Sequence, residues 1–229
     1  FLANPELRNA VLTSGKVALV ASVISVALGL LAAIALVRKQ FAGKGVVSAL
    51  LLSPLVIPYI VFAIALLILF VQIDKLPGIS LPQSMWTLII GHVVILLPYV
   101  ILVLIPRLER IDVRLEEAAY DLGASSWRTF RSITLPLIWP ALLSAFLVSF
   151  VFSFDEIILA SFIAGTATTF PLYLYSQLRF PSLLPQVIAV AVIVFTVSMV
   201  VILATEVGRR FVERKLDIEL AASPEALAE

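Results

Sequence analysis

Two adjacent carboxylates, Asp155 and Glu156, interrupt a long apolar stretch of the chain. On a continuous helix their side chains would point roughly 100° apart, so at least one must face a neighbouring helix or water. An ionised group facing lipid is strongly disfavoured. The pair therefore predicts either a path for a cationic solute or bridges to basic side chains at one end of a helical bundle.

Aromatic rings near these acids could add a second kind of contact to a cation. Tyr173 and Tyr175 follow the acids in the sequence, and the face of a tyrosine ring attracts a positive charge. Tyr99, with Trp86, is a further candidate for an interface or pathway aromatic. The candidate substrate path consists of Asp155, Glu156, Tyr173 and Tyr175.

His92 is the only histidine, and it lies beside Gly91 inside another apolar run. A histidine within a membrane can relay protons, but no acid stands four residues away to pair with it. We expect a packed, hydrogen-bonded core residue. The chain also lacks cysteine, a Walker-type glycine loop and an HExxH motif, so it holds no recognisable catalytic or metal site.

A polar segment, residues 107–136, separates two apolar runs, and we call it the elbow. Five arginines balance five acids across it, which argues against a nucleic-acid patch. Good helix formers precede Gly123, which tolerates a positive φ and can end a helix. Ser125 or Ser126 can then cap a second short helix, which Pro136 would end at the start of the next span. The elbow is predicted to be a docking surface, the alternative being an amphipathic surface helix pair on an unrelated membrane protein.

The elbow keeps the spacing E-A-A, three residues, G, nine residues, I-x-L-P in Glu117-Ala118-Ala119, Gly123, and Ile133 to Pro136. In this it resembles the membrane permease subunits of bacterial, binding-protein-dependent ABC importers. The resemblance implies that the elbow is a coupling loop that seats in a cleft of an ATP-hydrolysing subunit. The docking residues expected on this basis are Glu116, Glu117, Ala118, Ala119, Gly123, Ser125, Trp127 and Arg128.

Three further stretches resemble spermidine/putrescine-type permeases: PLVIPYIVFAIALL, SFDEIILASFIAG and TTFPLYLYSQLR. The resemblance implies polyamine cargo, while phosphonate, opine or iron cargo stays open. An ion-coupled secondary carrier is a weaker alternative, because the spans hold only one acidic pair and one histidine.

The same resemblance implies a set of partners around a non-catalytic chain. These are two ATPase subunits, which carry ATP and Mg, a second permease subunit, an extracytoplasmic solute-binding protein and membrane lipid. No nucleic acid, metal or cofactor is expected on this chain.

The elements that position these residues are membrane spans. Hydrophobic residues form 62% of the 229 and charged residues 14%, with mean hydropathy +1.12, which is typical of an integral membrane protein. Recurring long apolar runs predict an all-α polytopic transmembrane bundle in a single permease domain, residues 1–229. Pro54 and Pro58 predict a kink or local unwinding in span two, and small residues in span one predict close helix packing. The five predicted spans are residues 16–37, 46–71, 84–106, 137–160 and 185–207.

The distribution of basic residues predicts the orientation. The segments after span one, in the elbow and after span five hold 12 of the 16 Lys and Arg residues. We therefore expect the elbow and the C-terminus in the cytoplasm, and the resemblance implies a multi-pass chain in the inner membrane of a bacterium. The resemblance implies a type I ABC importer permease fold, usually of six spans, so we expect one N-terminal span to be missing from this sequence.

Overall fold

The computed structural model describes residues 4–180, 185, 188–200, 203 and 207. These residues form helices and connections without a β-strand, which confirms the predicted all-α class. A 3₁₀ turn, Ser53–Leu55, follows α2, and a π-helical stretch, Phe130–Thr134, joins α6 to α7. The helices are α1 (Pro5–Arg38), α2 (Lys44–Leu52), α3 (Tyr59–Asp74), α4 (Met85–Glu109), α5 (Val113–Asp121), α6 (Ser126–Thr129), α7 (Leu135–Phe154), α8 (Ile158–Ile163), α9 (Phe170–Gln177) and α10 (Ile188–Val200).

Helices α1, α4 and α7 pack against one another and form the centre of the bundle. Each is long and apolar enough to cross a membrane. Helix α1 has 34 residues, about 50 Å at 1.5 Å per residue, so it extends well beyond a hydrocarbon core of about 30 Å. It begins at Pro5 because the Asn4 side chain accepts hydrogen bonds from the N–H groups of Glu6 and Leu7. The polar segment before predicted span one is therefore an extension of the same helix.

The packing of α1 on α4 depends on small residues along one face of α1. Ser22, Ser25, Gly29 and Ala33 are buried at helical spacing. A Cβ atom at Gly29 would overlap the side chain of Val100, so glycine permits this approach. The predicted close packing of span one is confirmed.

Predicted span two is two helices rather than one kinked helix. The segment Lys44–Leu55 and helix α3 meet at an angle of 106°. Pro54 lies in the 3₁₀ turn and Pro58 immediately precedes α3. Proline removes a backbone donor and disfavours a helical residue before it, so two prolines close together break the helix.

The elbow contains α5, a turn at Gly123, and α6. Gly123 has φ +82°, the left-handed conformation that ends a helix at low cost for glycine. Ser125 caps α6 by accepting a hydrogen bond from the N–H of Arg128. The prediction that Pro136 ends the second short helix is wrong. The helical backbone is continuous from Ser126 to Phe154. Pro136 lies directly after the π-helical stretch, in the first turn of α7, and does not break the helix there.

Predicted span four also differs from the structure, because α7 ends at Phe154 and does not continue to Ala160. Residues 155–157 are non-helical, and α8 then packs against α3 and α4. Residues 161–180, between predicted spans four and five, contain the end of α8 and all of α9. Span five is described only in part, through α10, and the charged tail after it lies outside the described residues.

Candidate functional site

The break between α7 and α8 is stabilised by the carboxylate of Glu156. Its oxygens accept hydrogen bonds from the N–H of Leu159 at 2.8 Å and of Ala160 at 3.0 Å. These N–H groups belong to the first turn of α8 and have no partner within the helix. Both acids therefore lie in a non-helical break, which corrects the prediction that they share one continuous helix. Glu156 makes the break possible by capping the start of α8.

His92, on α4, contacts both sides of this break. Its Nδ1 atom forms a hydrogen bond with Ser153 Oγ, at 2.5 Å, in the last turn of α7. Its Nε2 atom lies 3.7 Å from an oxygen of Glu156. The side chain is buried, so the prediction of a packed, hydrogen-bonded core histidine is confirmed. The acid beside it comes from a different part of the chain and was not visible from helical spacing.

A cavity of about 590 Å³ lies next to the break. Tyr59 at the start of α3 and Tyr99 on α4 line it together with Asp155 and Glu156. The ring of Tyr99 stacks on Phe152 with centroids 5.2 Å apart. His92, Ser153 and Phe152 also line the cavity, and the rest of its wall is aliphatic. Two carboxylates beside aromatic rings can provide charge pairing and cation–π contact for a cation.

The two tyrosines predicted for the path lie elsewhere. The hydroxyl of Tyr173 accepts a hydrogen bond from Asn4 at 3.0 Å, and its side chain lines a second cavity of about 570 Å³ beside α1 and α9. Tyr175 is exposed and lines neither cavity. Sequence reasoning missed Tyr59, although its position directly after Pro58, at a predicted kink, was an available signal.

The alternative role for the acids, bridging basic side chains, has no support in the described part of the chain. There Arg38 forms an ion pair with Glu116, and His92, which is charged only when protonated, lies beside Glu156. No lysine or arginine among the described residues reaches Asp155 or Glu156.

The elbow presents most of its predicted docking residues at the surface. Glu117, Ala118, Gly123, Ser125, Trp127 and Arg128 are exposed, and Ala119 is half-buried. The Trp127 side chain is 67% exposed and packs its ring near Phe130. Leu122 is 89% exposed, and the sequence analysis missed it. Large apolar side chains exposed next to charged ones are typical of a protein–protein interface.

Glu116 differs from these residues because it faces the bundle. Its Oε1 atom accepts hydrogen bonds from Arg38 at 3.2 Å and from the Thr134 hydroxyl at 3.1 Å. The structure thus separates Glu116 from the exposed set to which the sequence analysis had assigned it.

The bent span, the elbow and the capped break lie within a stretch of the chain that matches a known family. A family model described as "Binding-protein-dependent transport system inner membrane component" matches residues 25–216. The chain belongs to this family. It is a multi-pass, non-catalytic permease component of an ABC importer in the inner membrane, as the motif in the elbow predicted. The family also sets aside the ion-coupled carrier.

Individual relatives of the permease differ in the cargo for which they are named. Spermidine/putrescine transport system permease protein PotC of Escherichia coli is 37% identical over 208 residues, 90% of this chain and 76% of PotC. Putrescine transport system permease protein PotI of Escherichia coli is 35% identical over 195 residues, 84% of this chain and 69% of PotI. Molybdenum transport system permease protein ModB of Haemophilus influenzae is 31% identical over 219 residues, 91% of this chain and 96% of ModB.

A solved structure supports the fold of the permease. The crystal structure of an amino acid ABC transporter with histidines aligns with a TM-score of 0.65 and 17% identity, covering 90% of this chain and 94% of that chain. The type I ABC importer permease fold predicted from the elbow is confirmed.

Proposed function

We propose that this permease conducts a polyamine, such as putrescine or spermidine, into the cell. The observation that carries the proposal is the cavity in which Asp155 lies with the rings of Tyr59 and Tyr99. A polyamine consists of ammonium groups separated by methylene segments. Carboxylate and ring faces suit the ammonium groups, and the aliphatic part of the wall suits the methylenes.

The relatives support this cargo without deciding it alone. PotC and PotI are named for spermidine and putrescine, whereas ModB, at 31% identity, is named for molybdenum. Family likeness is therefore compatible with different cargoes. The acidic cavity favours a cation among them.

The two acids have different roles in the proposed path. Glu156 is occupied by backbone N–H groups and lies against His92, so it holds the wall in shape. No described residue donates a hydrogen bond to Asp155, which lies exposed at the cavity. Asp155 is the acid available to cargo.

Uptake of labelled putrescine by the assembled transporter in liposomes tests this role. Asp155→Asn keeps the size of the side chain and removes its charge, and should lower uptake at limiting putrescine about tenfold, equivalent to about 1.4 kcal/mol. Glu6→Gln is the control, because Glu6 is an exposed acid that does not line this cavity. Unchanged uptake in Asp155→Asn would refute the role of Asp155, and a wild-type transporter that takes up no polyamine would refute the cargo assignment.

We also infer that the elbow docks onto an ATPase subunit on the cytoplasmic side. In the assembled importer, this permease is joined by two such subunits, a second permease and an extracytoplasmic solute-binding protein. ATP-driven closure of the two ATPase subunits would bring two elbows together and open the bundle outward. The exposed Leu122 and Trp127 and the glycine turn between the elbow helices support this docking.

Co-purification of the ATPase subunit with the permease tests the docking. Gly123→Asp places a charged side chain at a φ of +82°, and Glu117→Lys reverses an exposed charge in the elbow. Both should reduce the bound ATPase subunit and the stimulated ATP hydrolysis. Arg8→Gln is the control because Arg8 is exposed near the start of α1, outside the elbow. If hydrolysis and uptake both survive the two changes, the docking surface lies elsewhere.

A further inference from the structure

Four groups meet where the elbow joins the bundle, and we call them the junction: Arg38, the carbonyl of Ile111, Glu116 and Thr134. One nitrogen of the Arg38 guanidinium, Nη2, donates to the Ile111 carbonyl at 3.1 Å and to Glu116 at 3.2 Å. The hydroxyl of Thr134 donates to the same Glu116 oxygen at 3.1 Å. The junction therefore links three separate parts of the chain through one carboxylate.

Three residues of the junction belong to different helical segments. Arg38 is the last residue of α1, Glu116 lies in α5, and Thr134 ends the π-helical stretch that leads into α7. A displacement of α5 therefore acts directly on both α1 and α7, two of the three central helices.

The charges of the junction are shielded from water. The side chains of Arg38 and Glu116 are 16% and 13% exposed, and Thr134 is buried. A charge-assisted hydrogen bond in such surroundings is stronger and more sensitive to geometry than an ion pair on the surface. The pair can therefore transmit force where an exposed pair would exchange with water.

We propose that the junction transmits the movement of the elbow into α1 and α7, and that Glu116 is a positioning residue for coupling rather than a docking residue. This inference rests on the proposed docking of the elbow. Neighbouring positions on a helix point about 100° apart, so Glu117 faces outward while Glu116 faces the bundle. Within one turn, α5 thus contacts the bundle through Glu116 and presents Glu117 for docking.

Two local features suit the junction to a change of conformation. The π-helical stretch that ends at Thr134 is a geometry frequently found at functional positions in helices. The Nε atom of Arg38 is buried and has no hydrogen-bond partner in the described part of the chain. An unpaired buried donor is costly, so an arrangement in which this nitrogen gains a partner would be favoured.

The test compares uptake per ATP hydrolysed in the assembled transporter, together with the amount of ATPase subunit that co-purifies. Glu116→Gln weakens the contact to Arg38 and keeps the side-chain volume. We expect the ATPase subunit to remain bound and uptake per ATP to fall at least about fivefold, the lower range for coupling between sites. Arg38→Lys, which keeps the charge, should lose less coupling than Arg38→Gln.

Two exposed residues near the start of α1 provide matched controls: Glu6→Gln and Arg8→Gln remove equivalent charges outside the elbow and the junction. If Glu116→Gln fails to fold, Thr134→Val removes one hydroxyl from the same network and should also lower uptake per ATP. Unchanged coupling in the folded variants would overturn the proposal. Loss of the ATPase subunit from Glu116→Gln would also overturn it, because Glu116 would then be a docking residue. If Gly123→Asp and Glu117→Lys keep the subunit bound while Glu116→Gln uncouples, the docking surface fails and the junction stands.

Discussion

The Nε2 atom of His92 lies 3.7 Å from a carboxylate oxygen of Glu156, and this contact joins α4 to the break that precedes α8. The other ring nitrogen of His92 bonds Ser153 on α7. One imidazole therefore fixes both edges of the break, and with it one wall of the cavity that holds Asp155.

Replacing His92 with alanine should destabilise the protein. The change leaves Ser153 without this partner and opens space in the packed interior, so we expect the free energy of unfolding to fall by about 2–4 kcal/mol. Thermal unfolding of the purified permease measures this. Ser80→Ala is the control, since its side chain is exposed between α3 and α4, away from the break. Equal midpoints for His92→Ala and Ser80→Ala would show that the histidine does not hold the break.

Substitutions of the two acids should affect stability and uptake differently. Glu156→Ala removes the acceptor for two N–H groups of α8, and loss of such a cap lowers the free energy of unfolding by about 1 kcal/mol. Asp155→Ala removes no described hydrogen bond and should leave thermal unfolding near the wild-type value while uptake falls. Thermal unfolding and putrescine uptake of both variants are the measurements. The assignment of roles is wrong if Asp155→Ala is the less stable of the two.

Gly91 should be intolerant of a side chain because α8 packs directly on it. A Cβ atom there would overlap the side chains of Ile163 and Leu159. Gly91→Ala should therefore lower the free energy of unfolding by about 1–3 kcal/mol through overpacking. Gly15→Ala is a matched control in α1, where a Cβ atom meets nothing within 4 Å and alanine favours the helix. Thermal unfolding of the two variants should shift in opposite directions, and a common shift would argue against close packing at Gly91.

Local chemistry was sufficient to predict several elements. Prolines at 54 and 58 indicated a distortion of span two, and Gly123 indicated the turn in the elbow, because both residue types act on the backbone where they stand. The small residues of α1 were predicted to pack closely for a similar reason: their size is a local property.

Features that depend on distant contacts could not be predicted. The break after Phe154 has no proline or glycine to mark it, and the contacts that stabilise it involve the Glu156 side chain bonding α8 and His92 from α4. The pairing of His92 with Glu156, and of Arg38 with Glu116, requires the positions of separate helices. The continuity of α6 with α7 past Pro136 was missed because a proline marks a helix start and a helix end equally well.

The most direct test is site-specific photo-crosslinking of the assembled transporter, with a photoreactive residue at Trp127 in the elbow or at Trp86 at the start of α4. The two side chains are 67% and 68% exposed, so they form a matched pair, one in the elbow that comes after α4 and one at the opposite end of α4. A probe at position 127 should crosslink to the ATPase subunit, and a probe at position 86 should not. Crosslinking from position 86 but not from 127 would contradict the proposal that the elbow docks onto the ATPase subunit.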